Sequence, residues 1–175
     1  MYLVNTRPDI YYVVNILSQF MVEPKRAHCA VAKHALRYLQ GTIELGLKYT
    51  RGNDIRLSGF TDADWTGSPV DRKSTSGYCF SLGSGMTSWC SRKQKSVALS
   101  SAEAKYMAAS TTSCEVIWFR KLLVNLLNEK KEATSIICDN QSCIKLSENL
   151  VFHDRSKHID IRCHFIRGCV QQGAL

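Results

Sequence analysis

The chain has 175 residues, 45% of them hydrophobic and 22% charged, a composition typical of a globular protein with one full core and a smaller attached unit. Its formal net charge of +8 favours a polyanionic partner such as nucleic acid. There is neither a long uncharged apolar run nor a secretory leader. We therefore expect an intracellular protein, cytoplasmic or nuclear, that is not secreted and has no membrane partner.

The cysteines predict reduced thiols. There are eight, scattered over mostly apolar positions and without a CxxC pair. The best candidate for a zinc site is HIDIRCHFIRGC, with His158, Cys163, His164 and Cys169. On a helix Cys163 and His164 point well apart, so we expect no zinc ion there.

The first 50 residues have helical patterns. TRPDIYYVVNILSQF begins with Thr6 as a possible N-cap and Pro8 in the first turn. EPKRAHCAVAKHALRYLQG repeats this pattern and ends at Gly41, and IELGLKY is typical of a short strand. Two helices of this size lack a core of their own, so we expect them to pack against protein that is not part of this chain.

From residue 51 the pattern changes to strands. IRLSGFTD, SGYCFSLG and TSWCSRKQKSVAL predict three antiparallel strands, followed by a long helix from SSAEAKY onward. A short strand, TSIICD, and two helical segments, NQSCIKLSEN and KHIDIRCHFIRGCV, complete the chain. This order predicts an α+β (α/β-like) fold with a mixed sheet, because the fourth strand follows a helical crossover and can run parallel to its neighbour.

Three acidic residues are candidates for a metal site. Asp62 closes the first strand, Asp139 closes the fourth, and Glu103 lies in the first turn of the long helix. If the two strands are adjacent and parallel, the three carboxylates converge at one edge of the sheet. Such a cluster repels itself unless it holds cations, and hard oxygen ligands suit Mg²⁺ or Mn²⁺. Two such ions can promote phosphodiester hydrolysis.

Each acid also has a purely structural explanation. Asp62 can be a turn residue, Glu103 can complete a capping box with Ser100, and Asp139 can cap the following helix. Asp64 lies past the strand end, where we expect it to stabilise the turn.

Long motifs resemble one family, the copia-type long-terminal-repeat retrotransposon Pol polyproteins. Three stretches are similar to their ribonuclease H domain: GFTDADWTGSPVDRKSTSGYCFSLGSGMTSWCSRKQKSVALSSAEAKYMAAS, CDNQSCIKLSEN and FHDRSKHIDIRCHFIR. NTRPDI and HALRYLQGT are similar to the segment that follows the reverse transcriptase palm. The resemblance implies that residues 1–50 are a C-terminal remnant of reverse transcriptase, with thumb- or connection-like helices. Residues 51–175 would form a ribonuclease H-like domain with a mixed five-stranded sheet, incomplete at its C-terminus.

The resemblance also implies an activity. It is the metal-dependent endonucleolytic cleavage of the RNA strand of RNA·DNA hybrids, with Asp62, Glu103 and Asp139 as catalytic residues and as ligands of two Mg²⁺ or Mn²⁺ ions. The partners would be the hybrid and the reverse transcriptase of the same polyprotein, in a cytoplasmic virus-like particle or the nucleus, with no small-molecule substrate.

Two departures from the family argue against full activity. Lys105 stands where the family usually has Glu, and we expect its side chain to point to solvent. The fourth catalytic carboxylate belongs to an Ala-Asp pair that the family places beyond the point where GCVQQGAL ends, and Asp160 in KHIDIR is a poor substitute on a substrate-side helix. We therefore expect a truncated remnant with little or no activity, and the alternative is a non-catalytic nucleic-acid-binding module.

Basic side chains flank the acids along the sequence and are candidates for phosphate contacts. A solvated charged face is the alternative for each, and Trp65 and Trp89 are more typical of core positions. The predicted nucleic-acid-binding residues are Arg72, Lys73, Arg92, Lys93, Lys95, Arg155, Lys157, His158 and Arg162, with Arg167 beside them.

Overall fold

The structure is a computed structural model that describes residues 2–52, 55–128, 132–148 and 160–175, with residues 160–163 described by their backbone alone. The described part of the chain combines helices with one sheet. In chain order its elements are the 3₁₀ helices Leu3–Asn5 and Pro8–Ile10, α1 (Tyr11–Ser18), α2 (Arg26–Gly41), β1 (Leu57–Ala63), β2 (Thr75–Leu82), β3 (Gly85–Lys93), α3 (Ser101–Leu127), β4 (Ser135–Ile137), α4 (Gln141–Glu148) and α5 (Asp160–Gln171).

The sheet is mixed and has the order β3-β2-β1-β4. β2 runs antiparallel to both β1 and β3, whereas β4 runs parallel to β1 and places Ile136 beside Gly59. The predicted α+β class, the meander and the parallel fourth strand are therefore confirmed. The expected five strands are not: the described residues form four, because the described chain after β4 folds into α4 and α5.

Helix α3 covers one face of the sheet. Residues of β1 alternate, so that Leu57, Thr61 and Ala63 are buried while Phe60 and Asp62 are exposed. Phe80 is completely buried in the same layer, and burying a side chain of this size contributes about 1.5–3 kcal/mol. The helix is thereby held in a fixed position over the strand ends.

The start of α3 and its far side are also fixed by local contacts. Ser100 is the N-cap residue, and its side chain accepts a hydrogen bond from the amide of Glu103. Tyr106, which is completely buried, packs in a second core cluster with Cys143 of α4 and Ile166 of α5. The first turn of α3 and the chain after β4 are thus packed against each other.

The N-terminal helices dock on β3. The indole of Trp89 donates a hydrogen bond to the carbonyl of Val4 at 2.8 Å, and the Asn15 amide group donates one to the carbonyl of Ser91 at 2.7 Å. Helix α2 packs on α1, and none of its residues is fully buried. The sheet of the same chain therefore supports this helical pair, and the expectation that its support lies outside this chain is wrong.

Some local expectations are corrected. Thr6 is not the N-cap of the first helix, because Arg7 precedes the 3₁₀ helix Pro8–Ile10 that leads into α1. IELGLKY does not form a strand. Its last residue, Tyr49, is held by its side chain instead, since the hydroxyl donates a hydrogen bond to the Met86 carbonyl at 2.6 Å. The predicted end of α2 at Gly41 is confirmed.

Two further findings concern the cysteines and possible membrane spans. Every cysteine among the seven whose side chains the structure describes is a free thiol, as expected. No helix in the described part of the chain combines the length and the apolar character that a membrane span requires.

Candidate functional site

Asp62 and Asp139 meet at one edge of the sheet. Asp62 is the last residue but one of β1, and Asp139 follows β4. Because the two strands are adjacent and parallel, their carboxyl ends open on the same side. The two side chains are 72% and 70% exposed, so this edge is accessible to a large ligand.

Lys105 lies between these two acids. Its Nζ is 2.9 Å from Oδ1 of Asp62 and donates a hydrogen bond to Oδ1 of Asp139, and its side chain is only 15% exposed. The expectation that Lys105 points to solvent is therefore wrong. The physical reason is the helix period, because residues two apart differ by about 200° around the helix axis. The Lys105 side chain therefore points to nearly the opposite side of α3 from the Glu103 side chain.

The surroundings favour the charged forms of Lys105 and Asp139. Burial lowers the pKa of Lys105, but hydrogen bonds to Asp139 and Asp62 outweigh burial, and the pKa lies above its usual value. The hydrogen bond from Lys105 also lowers the pKa of Asp139. We name Asp62, Lys105 and Asp139 the ion triad.

Glu103 is engaged elsewhere. It is 6% exposed, and its Oε2 accepts a hydrogen bond from the amide of Leu99 at 2.7 Å, one residue before the N-cap Ser100. Glu103 therefore binds a backbone amide next to the N-cap, much as the capping explanation predicted. The expected cluster of three carboxylates is not formed, and nowhere among the side chains that the structure describes do three His, Cys, Asp or Glu residues come together as a metal site.

These residues, as they are arranged, do not fit a two-metal centre. Such a centre needs several convergent oxygen ligands. Here two carboxylates share the edge, and an ammonium lies between them where a bridging cation would be. The catalytic and metal-binding roles of Asp62, Glu103 and Asp139 therefore stay predictions.

Neighbouring polar residues have structural roles. Asp64 accepts a hydrogen bond from the amide of Thr75, and its own amide donates to the Thr75 carbonyl at 3.1 Å, so it stabilises the β1–β2 connection as predicted. Asp139 does not cap the next helix. That role belongs to Asn140, whose Oδ1 accepts a hydrogen bond from the amide of Cys143 at 2.8 Å.

Several of the predicted basic residues lie at the sheet edge that carries Asp62. Ala63 of β1 pairs with Ser76 of β2, which pairs with Arg92 of β3. Arg92 therefore lies two strands away from Ala63, in the same row of paired residues across the sheet. Arg92, Lys95 and Arg72 are exposed, and Lys73 is half-buried. Lys93 instead forms an ion pair with Asp71 at 2.9 Å. Among the predicted basic residues whose side chains the structure describes, Arg72, Arg92 and Lys95 are the exposed ones.

Other predicted residues fall outside the described part or are placed differently. Arg155, Lys157 and His158 lie outside the described residues, as do the side chains of Asp160, Arg162 and Cys163. Arg167 donates a hydrogen bond from Nε to the carbonyl of Leu146 at 3.2 Å, which joins α5 to α4. His164 is exposed and Cys169 is buried. His158 and the side chain of Cys163 lie outside the described residues, so the expected absence of zinc stays a prediction.

The two tryptophans differ in exposure. Trp65 is 51% exposed and donates a hydrogen bond to the Ala98 carbonyl, whereas Trp89 is half-buried against the N-terminal segment. Trp89 also lines a cleft of about 350 Å³ between α1 and the sheet, together with Tyr11 and Phe60, and Asp62 forms part of its wall. Sequence patterns did not reveal this cleft, because it depends on the docking of α1.

Known proteins similar to this chain come from transposons. A retrovirus-related Pol polyprotein from transposon RE1 of Arabidopsis thaliana is 47% identical over 174 residues, which are 99% of this chain and 12% of that protein. The corresponding polyprotein from transposon TNT 1-94 of Nicotiana tabacum is 44% identical over 173 residues, 99% of this chain and 13% of that protein. Nearly the whole chain is thus similar to a segment of retrovirus-related transposon Pol polyproteins.

A third relative shares a shorter stretch. A secreted RxLR effector protein 161 from Plasmopara viticola is 50% identical over 119 residues, which are 67% of this chain and 84% of that protein. No protein-family profile and no solved structure matches the chain. The chain spans only 12% of the RE1 polyprotein, so the activity and partners of the whole polyprotein are matters for proposal.

Proposed function

We propose that this chain is the segment of a copia-type Pol polyprotein that joins the end of the reverse transcriptase to a ribonuclease H-like domain, and that it binds RNA·DNA hybrid with little or no cleavage. The domain boundary lies near residue 50. The observation that carries the proposal is the ion triad: the two acids meet where the family resemblance places a nuclease site, and Lys105 occupies the space between them.

Charge supports binding to a nucleic acid. The chain carries a net charge of +8, and exposed Arg72, Arg92 and Lys95 lie at the edge of the sheet where β1 ends. Positive side chains at an open edge neutralise phosphates and release counterions, which supplies most of the affinity for a nucleic acid. The triad itself has one positive and two negative groups, so the surrounding basic residues must supply the attraction.

The geometry favours binding over hydrolysis. Hydrolysis by this class of enzyme would need divalent cations held by several carboxylates. Here Glu103 bonds to Leu99 and Lys105 lies between Asp62 and Asp139. A cleaving enzyme with Mg²⁺ or Mn²⁺ at Asp62, Glu103 and Asp139 is the second candidate, which the Pol relatives favour but this arrangement of side chains does not.

The proposal is tested by measuring hybrid affinity as a function of salt concentration. Replacing both Arg92 and Lys95 by Gln should reduce the slope of log K against log salt by about 1.4–1.8, since each phosphate contact contributes about 0.7–0.9. A matched control replaces Lys33 and Lys121, which are exposed on α2 and α3, and removes the same charge elsewhere. We expect a much smaller change in slope for the control.

Two results would refute the proposal. One is hybrid affinity that does not depend on salt, because the positive charge would then be incidental. The other is an equal change of slope in both double variants, which would mean that the edge carrying Arg92 and Lys95 has no special role.

A further inference from the structure

The ion triad has the geometry of a cation site that already contains its cation. One ammonium contacts one oxygen from each of two carboxylates that extend from neighbouring parallel strands, Asp62 and Asp139. The ammonium is on a largely buried side chain, whereas both acids are mostly exposed. Both acids therefore contact the ammonium while staying mostly exposed, and Oδ1 of Asp62 also accepts a hydrogen bond from the Ala63 amide at 2.7 Å.

We propose that Lys105 is a built-in replacement for a divalent cation, so that the native chain neither needs nor retains such an ion at this edge. The inference rests on the proposed function only in treating Asp62 and Asp139 as the site, and both of its tests are made without nucleic acid. A failure to bind hybrid would therefore leave their outcome unaffected.

The physical basis is competition for the same oxygens. A divalent ion bound by both carboxylates would lie a few ångströms from Nζ of Lys105, and like charges at that distance repel strongly. The ion could bind only if the lysine side chain left its position, which breaks both contacts with the acids. A neutral side chain of similar length removes that competition.

The first test uses the sign of a stability change. In EDTA, Asp62→Asn and Asp139→Asn should each lower Tm by about 1–3 °C, because each removes one partner of a positive charge. If Lys105 did not neutralise the pair, the two acids would repel each other in EDTA, and either substitution would raise Tm. A rise in Tm in both variants would overturn the inference. This test does not depend on the folding of any Lys105 variant.

The second test measures Mn²⁺ binding directly, for example by the loss of the free-ion electron paramagnetic resonance signal. Lys105→Met keeps the length of the side chain and removes the charge, and it should bind Mn²⁺ about tenfold or more tightly than the native chain. Lys121→Met, on an exposed position of the same helix, is the matched control and should leave Mn²⁺ affinity unchanged. Adding Asp139→Asn to Lys105→Met should abolish the gain.

The outcomes are clearly separated. Mn²⁺ affinity that rises in Lys105→Met and falls again in the double variant supports the inference. Mn²⁺ binding by the native chain that equals or exceeds that of Lys105→Met overturns it, because the lysine would then not compete. So does a gain in Lys121→Met of the same size, since the effect would reflect net charge alone.

Discussion

Two acids close together in the sequence have different roles. Asp62 contacts the ammonium of Lys105, whereas Asp64, past the end of β1, accepts a hydrogen bond from the Thr75 amide. A carboxylate that accepts from a backbone amide close to a strand end fixes the loop between the strands. The pair therefore combines a site residue with a residue that keeps the β1–β2 connection in place.

Replacing Asp64 by Ala should lower the free energy of unfolding by about 1–2 kcal/mol, because the Thr75 amide loses its charged acceptor. Asp64→Asn, which keeps an acceptor oxygen, should cost less. Chemical denaturation measures both, with Glu44→Ala at an exposed position after α2 as the control. A large loss of hybrid affinity in Asp64→Asn at unchanged stability would show that Asp64 belongs to the binding site instead.

At the scale of elements, one arginine connects the two N-terminal helices. Arg7 is 8% exposed and donates hydrogen bonds to Asp9, at 2.7 Å, and to the carbonyl of Thr42, at 3.0 Å. Tyr38 of α2 also donates a hydrogen bond to Asp9. Because residues before α1 and at the end of α2 share these bonds, the pair keeps its geometry although none of the α2 residues is fully buried.

This contact predicts a dependence of stability on pH. The hydrogen bond from Arg7 lowers the pKa of Asp9 from 3.8 to about 2. The contact therefore stabilises the fold above pH 3.8 and is lost as the pH falls to about 2. The difference in Tm between the native chain and Asp9→Asn should narrow over that interval. A Tm difference that stays constant over this pH interval would contradict this account. So would an equal narrowing of the Tm difference between the native chain and the exposed control Glu23→Gln.

The order of the helices and strands from β1 onward could be predicted from the sequence. The side chain that lies between Asp62 and Asp139 could not. Alternating strands, the Ser100 cap and the crossover to TSIICD each leave a local signal, and all three appear in the structure. The position of Lys105 depends on which side of α3 faces the ends of β1 and β4. That rotation is set by packing around Tyr106, a tertiary effect that no local pattern carries.

At the scale of the whole molecule, two units form one surface. The N-terminal helices dock on β3 through Asn15 and Trp89, and the cleft they form with the sheet has Asp62 in its wall. The exposed Arg92 lies across the sheet from Ala63, the residue that follows Asp62. A nucleic acid at the sheet edge would therefore lie close to both the ion triad and the N-terminal helices, which suits the proposed binding of a hybrid.

The central claim is that this chain binds RNA·DNA hybrid without cleaving it, and the most direct measurement follows both events in one experiment. The native chain and Asp62→Asn are incubated with a hybrid whose RNA strand is end-labelled, in Mn²⁺, and binding and cleavage are recorded together. We predict binding by both chains and no cleavage above background by either, because Lys105 lies between the acids and Glu103 bonds to Leu99. Cleavage by the native chain that Asp62→Asn abolishes would contradict the account.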